Sequence, residues 1–191
     1  MITHAIFDLD GVLLDTERLS IEGTTTMLQK CGISVPRDYG YKIAGLNGPS
    51  LVTRLKMDFN LSHVSGETLL KLYRQEFTNA IERRGVSTIN GAIELTAGMR
   101  AMGMGIGIAS NSSRKFFKLK TKEYQGWFRM FDTIVLADDP RKPKPKPAPD
   151  LYLLAAADMH AKPENCLVFE DSDVGVQAAI AAGMQVIKIN T

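Results

Sequence analysis

The stretch FDLDGVLLDTE, residues 7–17, starts where the short apolar run THAIF (residues 3–7) ends, and it sets two carboxylates, Asp8 and Asp10, one residue apart. An apolar, partly β-branched run closed by DLDG reads as a buried strand entering a turn. Two like charges that close repel each other, so the turn needs a nearby positive charge. This stretch organises the reading of everything downstream.

The chain has 191 residues, 45% hydrophobic and 23% charged, enough for one well-buried core and a smaller accessory unit. With 23 Lys and Arg against 21 Asp and Glu the net charge is +2, which points to neither nucleic acid nor an anionic membrane as a partner. Cys31 and Cys166 stand in no metal or redox spacing and are expected as buried free thiols in a reducing compartment. MITHAIFDLD reaches two acids before any long apolar run, unlike a signal peptide, and no stretch approaches a membrane span. A cytoplasmic protein, monomeric or weakly dimeric, is the expectation.

Between residue 16 and residue 86 the patterns are helical. TERLSIEGTTTMLQKCG and GPSLVTRLKMDFNL each predict a helix. In GETLLKLYRQEFTNAIERRG, Leu69, Leu70, Tyr73, Phe77, Ala80 and Ile81 line one face, with a basic last turn. No strand is expected here. After residue 86 strand and helix alternate: NGAIELTAGMRAMG (helix), MGIGIASNSS (strand), SRKFFKLKTKEYQ (helix), FDTIVLADD (strand), APDLYLLAAADM (helix), NCLVFEDS (strand), VGVQAAIAAG (helix) and MQVIKI (strand). Such alternation implies an α/β fold, a doubly wound, Rossmann-like parallel sheet with ligands at the carboxyl ends of its strands. The predicted division is a core of residues 1–15 and 87–191 and an all-helical cap of residues 16–86 inserted after the first strand. The RKPKPKPAP segment should be extended and polyproline-like.

Four candidate groups fall where a predicted strand opens onto one edge of the sheet: Asp8 with Asp10, Ser110 with Asn111, Lys146, and Glu170 with Asp171. Acids from two strand ends form an oxygen-rich nest suited to a hard cation such as Mg²⁺, and no His and Cys cluster suggests zinc. An ionised Asp is a nucleophile that needs no base and can accept a phosphoryl group, which suits Asp8. Asp10 can protonate the leaving oxygen and then deprotonate water. Ser110, the Asn111 backbone N–H and the Lys146 charge can surround the phosphoryl oxygens. Asp171 would complete the metal shell with Asp8 and Asp10, and Glu170 would support it. Ordinary alternatives exist for single residues: an Asp at a strand end is often a turn or cap residue, and SNSS is a common capping composition. The lysines from Lys115 to Lys122, and Lys142 and Lys144, read as solvated.

Taken together, DLDGVLLDTE, IASNSS, KPAPD and VFEDSDVGVQAAIAAGM resemble, in this order, the four motifs of the haloacid dehalogenase superfamily, across the whole chain. The resemblance implies a helical cap that closes over the substrate, Mg²⁺ as cofactor, Asp8 as nucleophile, Asp10 as acid and base, Ser110 and Lys146 on phosphate, Asp171 on the metal, and the Asp10 carbonyl as a further ligand. Of the three lysines in RKPKPKPAPD only Lys146 matches Lys-Pro-x-Pro-Asp. The AGLNGPS segment resembles a specificity loop, which implies roles for Gly45 and Asn47. True dehalogenases keep no acid at the position of Asp10. The chain looks most like the pseudouridine-5'-phosphatase-like and β-phosphoglucomutase-like branch. The expected activity is hydrolysis of a small phosphorylated metabolite, a nucleotide or sugar phosphate, with pseudouridine 5'-phosphate among the candidates. A phosphomutase is the alternative, disfavoured by Ser20 where mutases carry a histidine, and a non-catalytic phosphometabolite-binding module is a third reading. Relatives continue past MQVIKI with another strand and helix, so an exposed edge strand is expected.

Overall fold

The computed structural model of the protein describes residues 1–43, 46 and 48–190; Gly45 and Asn47 lie outside the described residues. The chain divides into two compact units, Met1–Asp15 with Val86–Thr191, and Thr16–Gly85.

In the first unit, five parallel strands form one sheet: β1 (His4–Phe7), β4 (Gly105–Ser110), β5 (Thr133–Leu136), β6 (Cys166–Glu170) and β7 (Gln185–Lys188), in the spatial order β5-β4-β1-β6-β7. The apolar runs read as strands supply this sheet, because a strand covered on both faces needs continuous rather than alternating hydrophobicity. Between the strands lie α5 (Ala92–Ala101), α6 (Arg114–Lys120), α7 (Gln125–Phe128), α8 (Asp150–Asp158) and α9 (Asp173–Ala181). Ile6, Ala109, Val135 and Val168 from the sheet pack with Leu151, Tyr152, Ala155, Ala178 and Ala179 from α8 and α9 in one buried cluster. The alanines let these helices lie close to the strands. On β1 and β6 the paired Phe7 and Phe169 stack with ring centroids 4.9 Å apart. β7 is an edge strand and exposes Ile187.

The first unit also holds a pairing that sequence periodicity does not predict. β2 (Leu14–Asp15) runs antiparallel to β3 (Ser87–Thr88), and the Ile89 N–H extends the ladder to the Leu13 carbonyl at 3.0 Å. Two-residue strands are too short to carry a period. The predicted SRKFFKLKTKEYQ helix is interrupted: α6 stops at Lys120, a 3₁₀ turn follows over Lys122–Tyr124, and α7 begins at Gln125. RKPKPKPAP is not uniformly polyproline-like either, since Lys142 has φ 54.

The second unit contains α1 (Glu17–Lys30), α2 (Gly40–Ile43), α3 (Gly48–Asp58) and α4 (Gly66–Arg84). Leu69, Phe77, Ala80 and Ile81 of α4 are buried as the helical period requires, while Leu70 and Tyr73 are partly exposed at the border of that face. Ser65 caps α4 by accepting the Thr68 N–H at 3.0 Å. Cys31, expected to be buried, is exposed just past the end of α1; Cys166 is buried in the sheet, and both are free thiols. Among the described residues no helix is long and apolar enough to cross a membrane.

α1 and α4 approach each other at Gly23. A Cβ built there would stand 2.8 Å from the Phe77 backbone nitrogen and 2.9 Å from its Cα, and backbone cannot step aside as a side-chain tip can. Gly23→Ala should therefore destabilise the helical unit by roughly 1–3 kcal/mol despite the better helix propensity of alanine. Denaturant unfolding of the two proteins measures this, and an unchanged or raised midpoint would show that the helices separate freely.

Candidate active site

The strand register determines which side chains meet. Phe7 pairs with Phe169 and with Ile108, so the next residues in each strand, Asp8, Glu170 and Ala109, stand side by side at the carboxyl edge, with Ser110 one step beyond. The Asp8 N–H donates to the Phe169 carbonyl at 3.0 Å, which carries the ladder into the site. The Asp10 N–H then donates to Asp8 Oδ2 at 2.9 Å. Both the Leu13 and Leu14 N–H groups reach back to the Leu9 carbonyl, at 3.1 and 2.9 Å, and close the DLDGVLL turn.

Lys146 is the hub of this edge. Its Nζ lies 2.6 Å from Asp8 Oδ1 and 2.6 Å from Glu170 Oε1, and 4.6 Å from the centre of the Tyr152 ring. Only 4% of its surface is exposed. The loop that presents it is tied to β4, because the Asn111 side-chain carbonyl accepts the Lys146 backbone N–H at 3.0 Å. Ser110 Oγ is buried and accepts the Ser112 N–H at 3.1 Å, which leaves its own hydrogen available to a ligand.

Glu170, expected near the metal, has both oxygens engaged by protein. Oε1 accepts from Lys146 and from the Tyr152 hydroxyl (3.0 Å), and Oε2 accepts from the Ser172 N–H (2.9 Å) and hydroxyl (3.0 Å). Those donors suit it to holding Lys146. Asp171 faces the DLDG turn. Gly11 has φ 79, and a Cβ there would be 2.1 Å from Asp171 Oδ2, so only glycine lets this carboxyl close on the turn.

The electrostatics follow from sharing one ammonium. Burial disfavours charge on all three partners. Glu170 nonetheless falls below the usual carboxylate range, because Lys146 and the Ser172 donors more than offset its burial. Lys146 rises well above its ordinary value because the opposing charges of Asp8 and Glu170 outweigh burial. Asp8 takes the deficit: burial pushes its carboxyl up to about 8, with Glu170, Asp10 and Asp171 adding to the rise against Lys146. Burial, then the Glu170 charge, likewise raises Asp171 to about 7.

Sequence reasoning missed the second lysine. Lys120, read as part of a solvated helix face, is 3% exposed, and its Nζ lies 2.7 and 2.6 Å from the two Asp10 oxygens and 2.6 Å from Ser112 Oγ. Lys115, Lys118 and Lys122 are exposed as expected. The available signal was the spacing to Phe117: three residues apart on one helix they share a face, and Phe117 is buried. Tyr152 was likewise read only as part of a helix.

Asp8, Asp10, Asp171 and Glu170 carry four potential negative charges against the two of Lys146 and Lys120. A divalent cation would balance that set, and Asp8 and Asp171, whose charged forms are disfavoured, are the carboxyls it would relieve. Among the described residues no three His, Cys, Asp or Glu side chains gather in a metal-binding group. An excess of carboxylates over ammonium groups is the setting a hard, oxygen-seeking divalent ion suits.

The family model of the haloacid dehalogenase-like hydrolases matches residues 5–189. The chain is 34% identical over 191 residues to a "probable pseudouridine-5'-phosphatase" of Drosophila melanogaster, covering 98% of this chain and 81% of the relative. It is 30% identical to a fructose-1-phosphate phosphatase of Escherichia coli, covering 96% and 94%. A solved haloacid dehalogenase family hydrolase of Deinococcus radiodurans, with bound phosphate and sodium, superposes with a TM-score of 0.76 at 29% identity, covering 97% of this chain and 79% of that one.

The raised carboxyls set a direction for stability. Asp171 titrates near 3.8 when exposed and about 7 here, so the folded state holds its proton more tightly. Its contribution is therefore most favourable at low pH and is lost as pH rises through that window. In the presence of chelator, Asp171→Asn should raise the melting temperature by at least about 2 °C near pH 9 and leave it unchanged near pH 4. Thermal melts at both pH values decide this; a lower melting temperature at about pH 9 would show that the charged carboxyl is stabilised by its surroundings.

Proposed function

The chain belongs to the haloacid dehalogenase-like hydrolases and is a phosphatase, and on that premise we propose a magnesium-dependent phosphomonoesterase working through an aspartyl phosphate on Asp8. The observation that carries this reading is the buried Asp8 carboxylate, held by Lys146 at 2.6 Å at the strand edge shared with Ser110 and Asp171. A binding module would gain nothing from a nucleophile and an acid placed two residues apart.

An Asp8 oxygen attacks phosphorus, the bond to the ester oxygen breaks, and Asp10 delivers the proton to the departing alkoxide. Water then gives its proton to Asp10 and attacks phosphorus, which breaks the acyl phosphate bond and frees phosphate and the Asp8 carboxylate. The Ser110 hydroxyl, the Asn111 N–H and Lys146 hold the equatorial phosphoryl oxygens through both displacements. Magnesium held by Asp8, Asp171 and the Asp10 carbonyl would supply positive charge beside these carboxylates and the phosphoryl group. Glu170 and Tyr152 keep Lys146 charged and in place.

The substrate class is a small phosphorylated metabolite, a sugar phosphate or a nucleotide, as the phosphatase names of the two relatives suggest. Ser20 supports hydrolysis over mutation: its hydroxyl pairs with the Tyr73 hydroxyl at 2.9 Å and offers no imidazole. Phosphate release should be measured from sugar, glycerol and nucleoside monophosphates, pseudouridine 5'-phosphate included. Release is expected to require Mg²⁺, to stop with chelator, and to fall by about a thousandfold or more in Asp8→Asn. Chelator-insensitive release, or wild-type activity in that variant, contradicts the proposal. A hexose 1-phosphate should lose phosphate faster than it isomerises.

A further inference from the structure

The clamp on Asp10 has no part in the steps above. Its donors come from the loop and helix after β4: Lys120 Nζ contacts both Asp10 oxygens, and the Ser112 hydroxyl donates to Asp10 Oδ2 at 2.9 Å. Lys120 reaches Asp10 from the buried face of α6, and its side chain is far more enclosed, at 3% exposed, than the carboxylate it holds, at 35%. Burying an ammonium for a mere surface pair is a poor exchange, since exposed ion pairs contribute little to stability. No buried side-chain nitrogen or oxygen among the described residues lacks a partner, so the cluster is fully satisfied as it stands.

From this geometry we propose that Lys120, with Ser112, is a positioning residue for the reaction: it fixes the Asp10 carboxyl for proton transfer to the leaving oxygen. The assignment rests on the reading of Asp10 as acid and base. A carboxyl that gives up a proton and later accepts one must occupy the same place at both moments, and a partly exposed Asp on a turn has rotamers to spare. Lys120 restricts them by holding both oxygens, and Ser112 holds the lysine, its hydroxyl 2.6 Å from Nζ. Such a residue matters in proportion to how much the leaving group needs a proton. Alkoxides need one; nitrophenolate leaves without it.

The test is the single-turnover rate of leaving-group release from two substrates, glycerol phosphate and p-nitrophenyl phosphate, in the wild type, Lys120→Met, Lys120→Arg and Asp10→Asn. Lys120→Met should lose roughly 10- to 100-fold on the alkyl ester and less than about threefold on the aryl ester. Lys120→Arg should recover part of the alkyl rate, because a guanidinium can pair with both oxygens. Wild-type alkyl rates in Lys120→Met, or equal losses on both esters, would overturn the proposal. The parent reading is checked separately: Asp10→Asn must show the same preference for the aryl ester, and if it does not, the role of Asp10 falls and the role of Lys120 with it.

Discussion

One ammonium group serves two buried carboxylates, and the site is arranged around that shortage. Lys146 touches Asp8 and Glu170 at equal distance, 2.6 Å each. Glu170 is also bonded by Tyr152 and Ser172, so the negative charge settles there and Asp8 is left short of positive charge. Removing one member of such a buried pair typically costs about 3–5 kcal/mol, because its partners remain charged and out of water. The same shortage prepares Asp8 for a cation: a divalent ion beside it would favour the ionised carboxylate that attacks phosphorus.

The fold produces this by register and by order. β1 is the middle strand, so residues just past its end have neighbours on both sides: Glu170 at the end of β6 and Ser110 at the end of β4. The Lys146 loop comes from further along the chain and is tied down by Asn111, so the two polar loops are fixed to each other as well as to the sheet. Gly11 allows Asp171 to approach a turn already occupied by two acids. Each contact joins residues distant in sequence, and the parallel sheet brings them together.

Much of this was legible in the residues. The alternation after residue 86 reads as a parallel sheet because its strands are short continuous apolar runs and its helices follow them. Asp8, Ser110 and Asp171 could be picked out as a set, since each stands at the end of a run that reads as a strand, whereas Lys146 was separated from Lys142 and Lys144 by the resemblance of KPAPD to a family motif. Local order without a period was not legible: β2 and β3 are two residues each, and the break after Lys120 falls where the helical pattern still continues. Charge reading failed where a cation turned inward. Lys120 looks like its exposed neighbours Lys118 and Lys122 until the position of Phe117 shows which face is covered. Glu170 and Asp171 read alike as adjacent acids, while the donors that set Glu170 apart, Tyr152 and Ser172, are apparent only in three dimensions. The specificity assignments to Gly45 and Asn47 rest on family resemblance alone.

The most direct measurement is the stereochemical course at phosphorus, followed with a substrate phosphoryl group made chiral by isotopic or sulfur substitution and turned over in labelled water. Attack by Asp8 followed by attack of water makes two in-line displacements, and the account requires overall retention of configuration. Inversion would mean that water attacks the ester directly, and Asp8 would then be a ligand of the site instead of its nucleophile.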